Sequence, residues 1–230
     1  MRLLFKYTLL IILLITSVLA GAKDMGTILS MRDRAAYIDQ ITERRVQVLL
    51  PKLMAETAID MWVLISREYN EDPILKTMLP ATWLSARRTT ILAFFRNSDD
   101  SVNAYAIAPY KVGNVFEKAW DKKTEPNQWQ ALVTLINKHQ PKNIAINQSK
   151  NWAHADGLVV TDKENFLLNL PLKYHSKVIS SEPLAVAWLE QRIPEEIVMY
   201  KHMVAIAHKI IAKAFSNDVI SVGKTTTNEV

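Results

Sequence analysis

The sequence predicts an α/β domain, a small mixed sheet flanked by helices. Three observations carry that expectation. Apolar runs of strand length (residues 59–65, 89–95 and 102–108) alternate with longer stretches in which apolar residues recur every three or four positions. A composition of 49% hydrophobic and 22% charged residues gives enough apolar surface for a packed core and excludes a disordered chain. Five Gly and nine Pro among 230 residues exclude collagen-like and low-complexity chains, and no period of solenoid length recurs.

The first segment reads as an address. Arg2 and Lys6 precede an apolar run over residues 9–15, then the small residues Ser17, Ala20, Gly21 and Ala22. This is the layout of a secretory signal peptide, with cleavage expected after Ala20 or Ala22 and the product exported to the periplasm or medium. An uncleaved anchor is the rival reading, although the apolar part falls short of the roughly 20 residues a span needs. Cleavage would leave no stable membrane anchor. It would also remove two positive charges and no negative ones, taking the net charge from +5 to +3. That balance, with no basic block, argues against nucleic acid as a partner. With no Cys, disulfides, thiolate zinc sites, iron–sulfur clusters and Cys nucleophiles are excluded.

Residues 23–192 hold the expected domain. Ser30–Asp33 matches a capping box, and Ile38, Ile41, Val48, Leu49 and Leu53 mark one face of a helix reaching about Glu56. Pro51 would bend or break it, so two consecutive helices are an alternative. A strand follows over 59–65, with Asp60 at its start. Residues 67–86, with Pro73 and Pro80, read as a loop. Strands over 89–95 and 102–108 flank the turn signal Asn97-Ser98-Asp99-Asp100, which predicts a hairpin. A helix around Trp129–Ile136 follows, then a short buried strand over 144–146, a helix over 163–170, an edge-like strand over 177–179 and a helix over 182–192.

Pro194 suits the first turn of another helix, and Glu195 and Glu196 complement its positive end. Its stripe of Ile197, Tyr200, Met203, Val204, Ala207, Ile210, Ile211, Ala214 and Phe215 needs a partner surface, either residues 24–192 or a second domain. Thr226-Thr227-Asn228-Glu229 matches a capping box one residue before the last, Val230. This suggests a chain that stops just inside a second domain, since a cap without its helix contributes nothing.

Residue chemistry alone identifies no active site. The five His (His139, His154, His175, His202 and His208) show no metal-binding helical pair, because His202 and His208 are not on one face. His154-Ala155-Asp156-Gly157 reads as a loop whose side chains hold local turns. Neither a nucleophile elbow nor a Gly-rich phosphate loop occurs.

A resemblance adds to this. Residues 183–200 read Pro-Leu-Ala-Val-Ala-Trp-Leu-Glu-Gln-Arg-Ile-Pro-Glu-Glu-Ile-Val-Met-Tyr, followed by an Ala-containing helix and by Val-Gly-Lys-Thr-Thr-Thr-Asn-Glu-Val over 222–230. The segment resembles the domain junction of Xaa-Pro aminopeptidases, prolidases and creatinase, where a Pro-Glu-Glu-Ile helix opens the "pita-bread" metallopeptidase domain. Val222 stands where that family has proline. Upstream, residues 147–158 and Trp83-Leu84-Ser85-Ala86-Arg87-Arg88 resemble the creatinase-type N-terminal domain of exported members.

The resemblance implies a creatinase-type N-terminal domain over 23–192 and the first long helix of a truncated catalytic domain over 193–230. Full-length members use two divalent metal ions (Mn, Co or Zn) to hydrolyse N-terminal peptide bonds, with a peptide substrate and often a homodimer. The metal-binding acids of that family lie beyond Val230, so no catalytic or metal-binding residue is carried over and the chain alone is expected to be inactive. By analogy Trp83, Arg87 and Arg88 become candidates for the substrate entrance, where an Arg pairs with a peptide carboxylate. The plainer alternative is loop packing for Trp83 and solvated charges for both Arg. The rival to the whole reading is a stand-alone exported binding module or pseudoenzyme.

Overall fold

A computed structural model describes residues 28–230; the signal-peptide expectation for residues 1–22 lies outside them. The described chain contributes to two compact units, residues 31–194 and a second that includes 195–230. The first is an α/β domain around a six-stranded mixed sheet.

Helix α1 (Met31–Arg44) runs without a loop into a π turn (Arg45–Leu49) and then α2 (Leu50–Glu56). This is how the chain accommodates Pro51. A proline in a continuous α-helix clashes with the carbonyl one turn back and offers no N–H. Here the turn before it is widened, with the Leu50 N–H bonded to the Arg45 carbonyl. The extra residue also shifts the helix phase. Val46, Leu49, Leu50, Leu53 and Met54 are buried, whereas Ile38 and Val48, expected on the apolar face, are exposed.

Strands β1 (Met61–Arg67), β2 (Thr89–Arg96) and β3 (Val102–Ile107) form an antiparallel meander, with Val63 opposite Ala93 and Ala93 opposite Tyr105. The β2–β3 hairpin agrees with the expectation. Asp99 accepts from the Ser101 N–H at 3.0 Å, and the Asn97 N–H donates to the Ser101 carbonyl at 2.8 Å. The two-residue β4 (Glu117–Lys118) adds to β3. Strand β5 (Ile144–Ile146) lies parallel to β1, and β6 (Val178–Ser180) lies parallel to β5, giving the order β4-β3-β2-β1-β5-β6. Strand β4 is too short and polar to show in a hydropathy pattern. The loop expected over 67–86 contains a single helical turn, α3 (Pro73–Lys76).

Helix α4 (Gln128–His139) crosses from β4 to β5. A 3₁₀ turn (Ala153–Ala155), α5 (Val160–Asn169) and the short α6 (Leu172–His175) connect β5 to β6, and α7 (Glu182–Glu190) follows. Helices cover both faces. Trp62 and Leu64 of β1 and Leu92 and Phe94 of β2 pack with Leu53, Leu75, Leu184 and Trp188. Their sequence neighbours Met61, Val63, Ile65, Ile91, Ala93 and Phe95 pack with Leu132, Ile136, Phe166 and Tyr174 on the other face. Two-sided burial explains why β1 and β2 read as continuous apolar runs. Each fully buried large side chain contributes about 1.5–3 kcal/mol.

Arg45 joins α7 to the π turn. It is 8% exposed, its guanidinium donates to the carbonyls of Gln191 (2.9 Å) and Trp188, and it lies 4.3 Å from the centre of the Trp188 ring. These contacts satisfy carbonyls at the end of α7, which stops at Glu190.

In the second unit, α8 (Pro194–Ala214) begins at the proline, as the sequence suggests, and none of its residues is buried. Further on, Glu229 accepts from the Thr226 N–H at 2.8 Å and from its hydroxyl at 3.0 Å, one arm of a capping box. Among the described residues, no helix is long and apolar enough to cross a membrane.

Candidate functional site

Ligands of open α/β sheets bind beyond the carboxyl ends of the strands, where the chain leaves in opposite directions. In this sheet β1 and its parallel neighbour β5 present their carboxyl ends together; β2 runs antiparallel to β1 and sets its amino end beside the carboxyl end of β1. The two sides of the β1 end have opposite characters: one is plugged and one is open.

The plugged side is a buried polar knot between β1 and β5. Asp72 is fully buried and caps α3, accepting from the N–H groups of Ile74 (2.8 Å) and Leu75 (3.0 Å). The Asn147 amide, directly after β5, donates to both Asp72 oxygens at 2.9 and 2.8 Å. The oxygen of that amide accepts from the Trp62 indole at 2.9 Å and from the Ser181 hydroxyl. The Asp72 N–H in turn donates to Ser66 Oγ at 2.8 Å. Burial raises the pKa of Asp72, and the bonds from Leu75, Asn147 and Ile74 oppose that rise. Gly157 closes the knot from outside: a Cβ there would lie 2.3 Å from Asp72 Oδ2 and 2.7 Å from Pro73 Cδ. Nearby, Asp162, 2% exposed, takes a forked bond from Arg67, with Nε at 3.0 Å from each oxygen and Nη2 at 2.7 Å.

The open side is a cleft of about 580 Å³. Its walls come from the end of β1 (Glu68), the loop before β2 (Thr82 to Ser85, Arg87 and Arg88) and the segment after β3 (Pro109 and Tyr110). The structure therefore brings Trp83, Arg87 and Arg88, the three sequence candidates, to one cavity. Trp83 is half-buried and packs on the core, as the plainer alternative expected, but its ring also carries the Arg87 guanidinium, with Cζ 4.5 Å from the centroid. Arg87 and Arg88 are exposed, and among the described residues neither forms an ion pair.

Arg88 has φ of +53°, a left-handed backbone held from both sides. Its N–H donates to Glu68 Oε2 at 3.1 Å, and its carbonyl accepts from the Glu68 N–H at 2.7 Å. Glu71 fixes the loop below by accepting from the Ala86 N–H at 2.9 Å. Tyr110 closes the wall: its hydroxyl donates to the Arg87 carbonyl and lies 2.9 Å from Thr90 Oγ1. Burial raises the Tyr110 pKa, with Thr90 and Arg87 opposing, so the phenol is a neutral donor at pH 7.

Glu68, Thr90 and Tyr110 are not among the sequence candidates. They carry no local motif; strand pairing brings Glu68 and Tyr110 to the loop over 82–88, whereas Thr90 follows that loop directly in the chain. The reading of residues 154–157 as a loop whose side chains hold local turns is met in part: Asp156 accepts from the Ser149 N–H at 3.0 Å, and Ala153–Ala155 form a 3₁₀ turn.

The arrangement can do recognition chemistry. Two guanidinium groups without ion-pair partners, on a rigid and partly aromatic wall, suit a carboxylate or similar anion, and the planar fork gives that contact direction. Among the described residues, no three His, Asp or Glu side chains converge to hold a metal ion, so none is assigned to the two ions that the resemblance implies. No protein-family model, no curated protein and no solved structure matches this chain.

Proposed function

We propose that this chain is the non-catalytic N-terminal part of an exported Xaa-Pro aminopeptidase-like metallopeptidase, a creatinase-type domain that shapes the substrate entrance. The complete protein hydrolyses N-terminal peptide bonds, and a homodimer is the form that the resemblance offers for it. The cleft bounded by Trp83, Arg87 and Arg88 receives the carboxylate end of a short peptide. One observation carries the reading: the three residues that the resemblance points to line a single open cleft, with both guanidinium groups available to a ligand.

The test is binding of Ala-Pro-Ala and of its C-terminal amide to the full chain, followed by calorimetry. The free acid is expected to bind more tightly, and Arg87→Ala with Arg88→Ala is expected to weaken it by about tenfold, the scale of one charge-assisted contact. Equal affinity for acid and amide, or no loss in the double variant, overturns the entrance role. Metal-dependent turnover of the peptide by this chain, with Mn or Co added, overturns the non-catalytic assignment.

A second reading, a complete exported binding module or pseudoenzyme, draws on α8, whose Ile197, Met203, Ile210 and Phe215 are exposed. Reading the gene past codon 230 separates the two. A frame that continues into an Asp pair, a His and two Glu favours the peptidase; an immediate stop favours the module.

A further inference from the structure

Tyr110 belongs to the cleft without facing a ligand in the role just proposed. It lies after β3, yet it holds the loop over 82–88 at two points. Its hydroxyl donates to the Arg87 carbonyl, which also accepts from Thr90 Oγ1 at 3.1 Å. Its ring meets the Trp83 ring edge-on, with centroids 5.7 Å apart and planes at 72°. Trp83 in turn carries the Arg87 guanidinium at 4.5 Å. The contacts form a closed circuit: Tyr110 hydroxyl, Arg87 backbone, Arg87 guanidinium, Trp83 ring, Tyr110 ring. Backbone and side chain of Arg87 are thus pinned at once, although the side chain is exposed.

We infer that Tyr110 is the positioning residue of this cleft: it holds the Arg87 guanidinium over Trp83 in the orientation that meets a ligand carboxylate. The inference rests on the entrance role proposed above. An Arg left free on a surface must be immobilised when a ligand binds, at about 0.5–1.5 kcal/mol, or roughly two- to twelvefold in affinity. The circuit makes that immobilisation before the ligand arrives. Thr90, fully buried, supplies the second hydroxyl to the same carbonyl.

The experiment compares Tyr110→Phe with the wild-type full chain, using Ala-Pro-Ala and its amide as probes. The variant keeps the ring contact with Trp83 and removes the hydroxyl. Affinity for the acid is expected to fall by about three- to tenfold, with affinity for the amide unchanged, so the acid-to-amide ratio falls. In an Arg87→Ala background the same change should have no further effect on that ratio. A merely structural role lowers both affinities together or lowers only the melting temperature, and either result overturns the inference. If Tyr110→Phe leaves the ratio at its wild-type value while Arg87→Ala abolishes it, the positioning role falls and the entrance role stands. If the wild-type chain itself does not distinguish acid from amide, both fall. Should Tyr110→Phe not fold, Thr90→Val removes the other hydroxyl at nearly constant shape and is judged by the same ratio.

Discussion

Replacing Gly157 with alanine puts a methyl group where three atoms already stand. The added Cβ would lie 2.3 Å from Asp72 Oδ2, 2.5 Å from Asp72 Cγ and 2.7 Å from Pro73 Cδ. None of these is the free end of a flexible side chain. Asp72 is locked by two N–H groups of α3 and by the Asn147 amide, and Pro73 opens that helix. Relief therefore requires the 157 backbone to retreat or the Asp72 knot to open. Overpacking of this kind costs about 1–3 kcal/mol, and leaving a polar group of the buried knot without its partner costs about 1–3 kcal/mol more. The expected loss is about 2–6 kcal/mol, a fall of roughly 4–24 °C in melting temperature for a domain of this size. Scanning calorimetry of the full chain measures it. Gly113→Ala is the control. Its φ is +56° and its added Cβ would meet only Pro80 Cγ at 3.9 Å, so the cost is conformational, about 1–2 kcal/mol. A Gly157→Ala protein within 1 kcal/mol of wild type (roughly, the level of ordinary surface changes), or a Gly113→Ala protein the less stable of the two, would refute the steric argument.

Three further changes probe the frame around the cleft. Arg67→Ala leaves the buried Asp162 carboxylate without its forked partner and should cost about 2–4 kcal/mol by urea unfolding, with Arg67→Lys recovering only part because lysine has no fork. Arg45→Met keeps much of the apolar stem but removes the donors to Trp188 and Gln191; a loss of about 2–3 kcal/mol is expected, and no loss would show that the end of α7 needs no such cap. His139 stacks on Phe95 with centroids 4.2 Å apart, and its buried Nε2 has no hydrogen-bond partner among the described residues. Burial, with a smaller push from Lys138, holds its pKa below the ordinary 6.5. The unfolded chain therefore takes up this proton first: the contribution of His139 to stability is intact above pH 6.5 and declines as pH falls toward the lowered folded value. His139→Phe should flatten that part of the stability–pH curve, and an unchanged slope refutes the assignment.

Much of the fold is legible in the sequence because it rests on local periodicity. Strands β1, β2, β3 and β5 announce themselves as apolar runs, and the Asn97–Asp100 turn marks the hairpin. What escapes is short or context-bound. Strand β4 pairs through its backbone and needs no apolar side chain. Helix α3 lies inside a stretch whose prolines read as loop, although Asp72-Pro73 is a recognisable start, a capping acid followed by a proline at the first helical position. Pro51 signals a break in the first helix, but the exposure of Val48 depends on one inserted residue that only the tertiary structure reveals. The candidate site divides the same way. Trp83, Arg87 and Arg88 are close in sequence, and their candidacy comes from a family resemblance. Glu68 and Tyr110 reach the same cleft from other strand ends, and no spacing in the sequence connects them to it; Thr90 lies buried behind it.

The sequence alone determined that this chain forms an α/β core with a further helix beginning at Pro194, because hydrophobic periodicity and proline placement act over a few residues. It also determined which chemistries lack their residue types: without cysteine there are no thiolate sites. Only the tertiary structure decided which side of the β1 end is sealed and which is open. That outcome depends on where Asp72, Asn147 and Gly157 meet and on where Tyr110 meets Arg87. Such contacts join residues distant in the chain, and their energies come from burial and close approach that no single segment possesses.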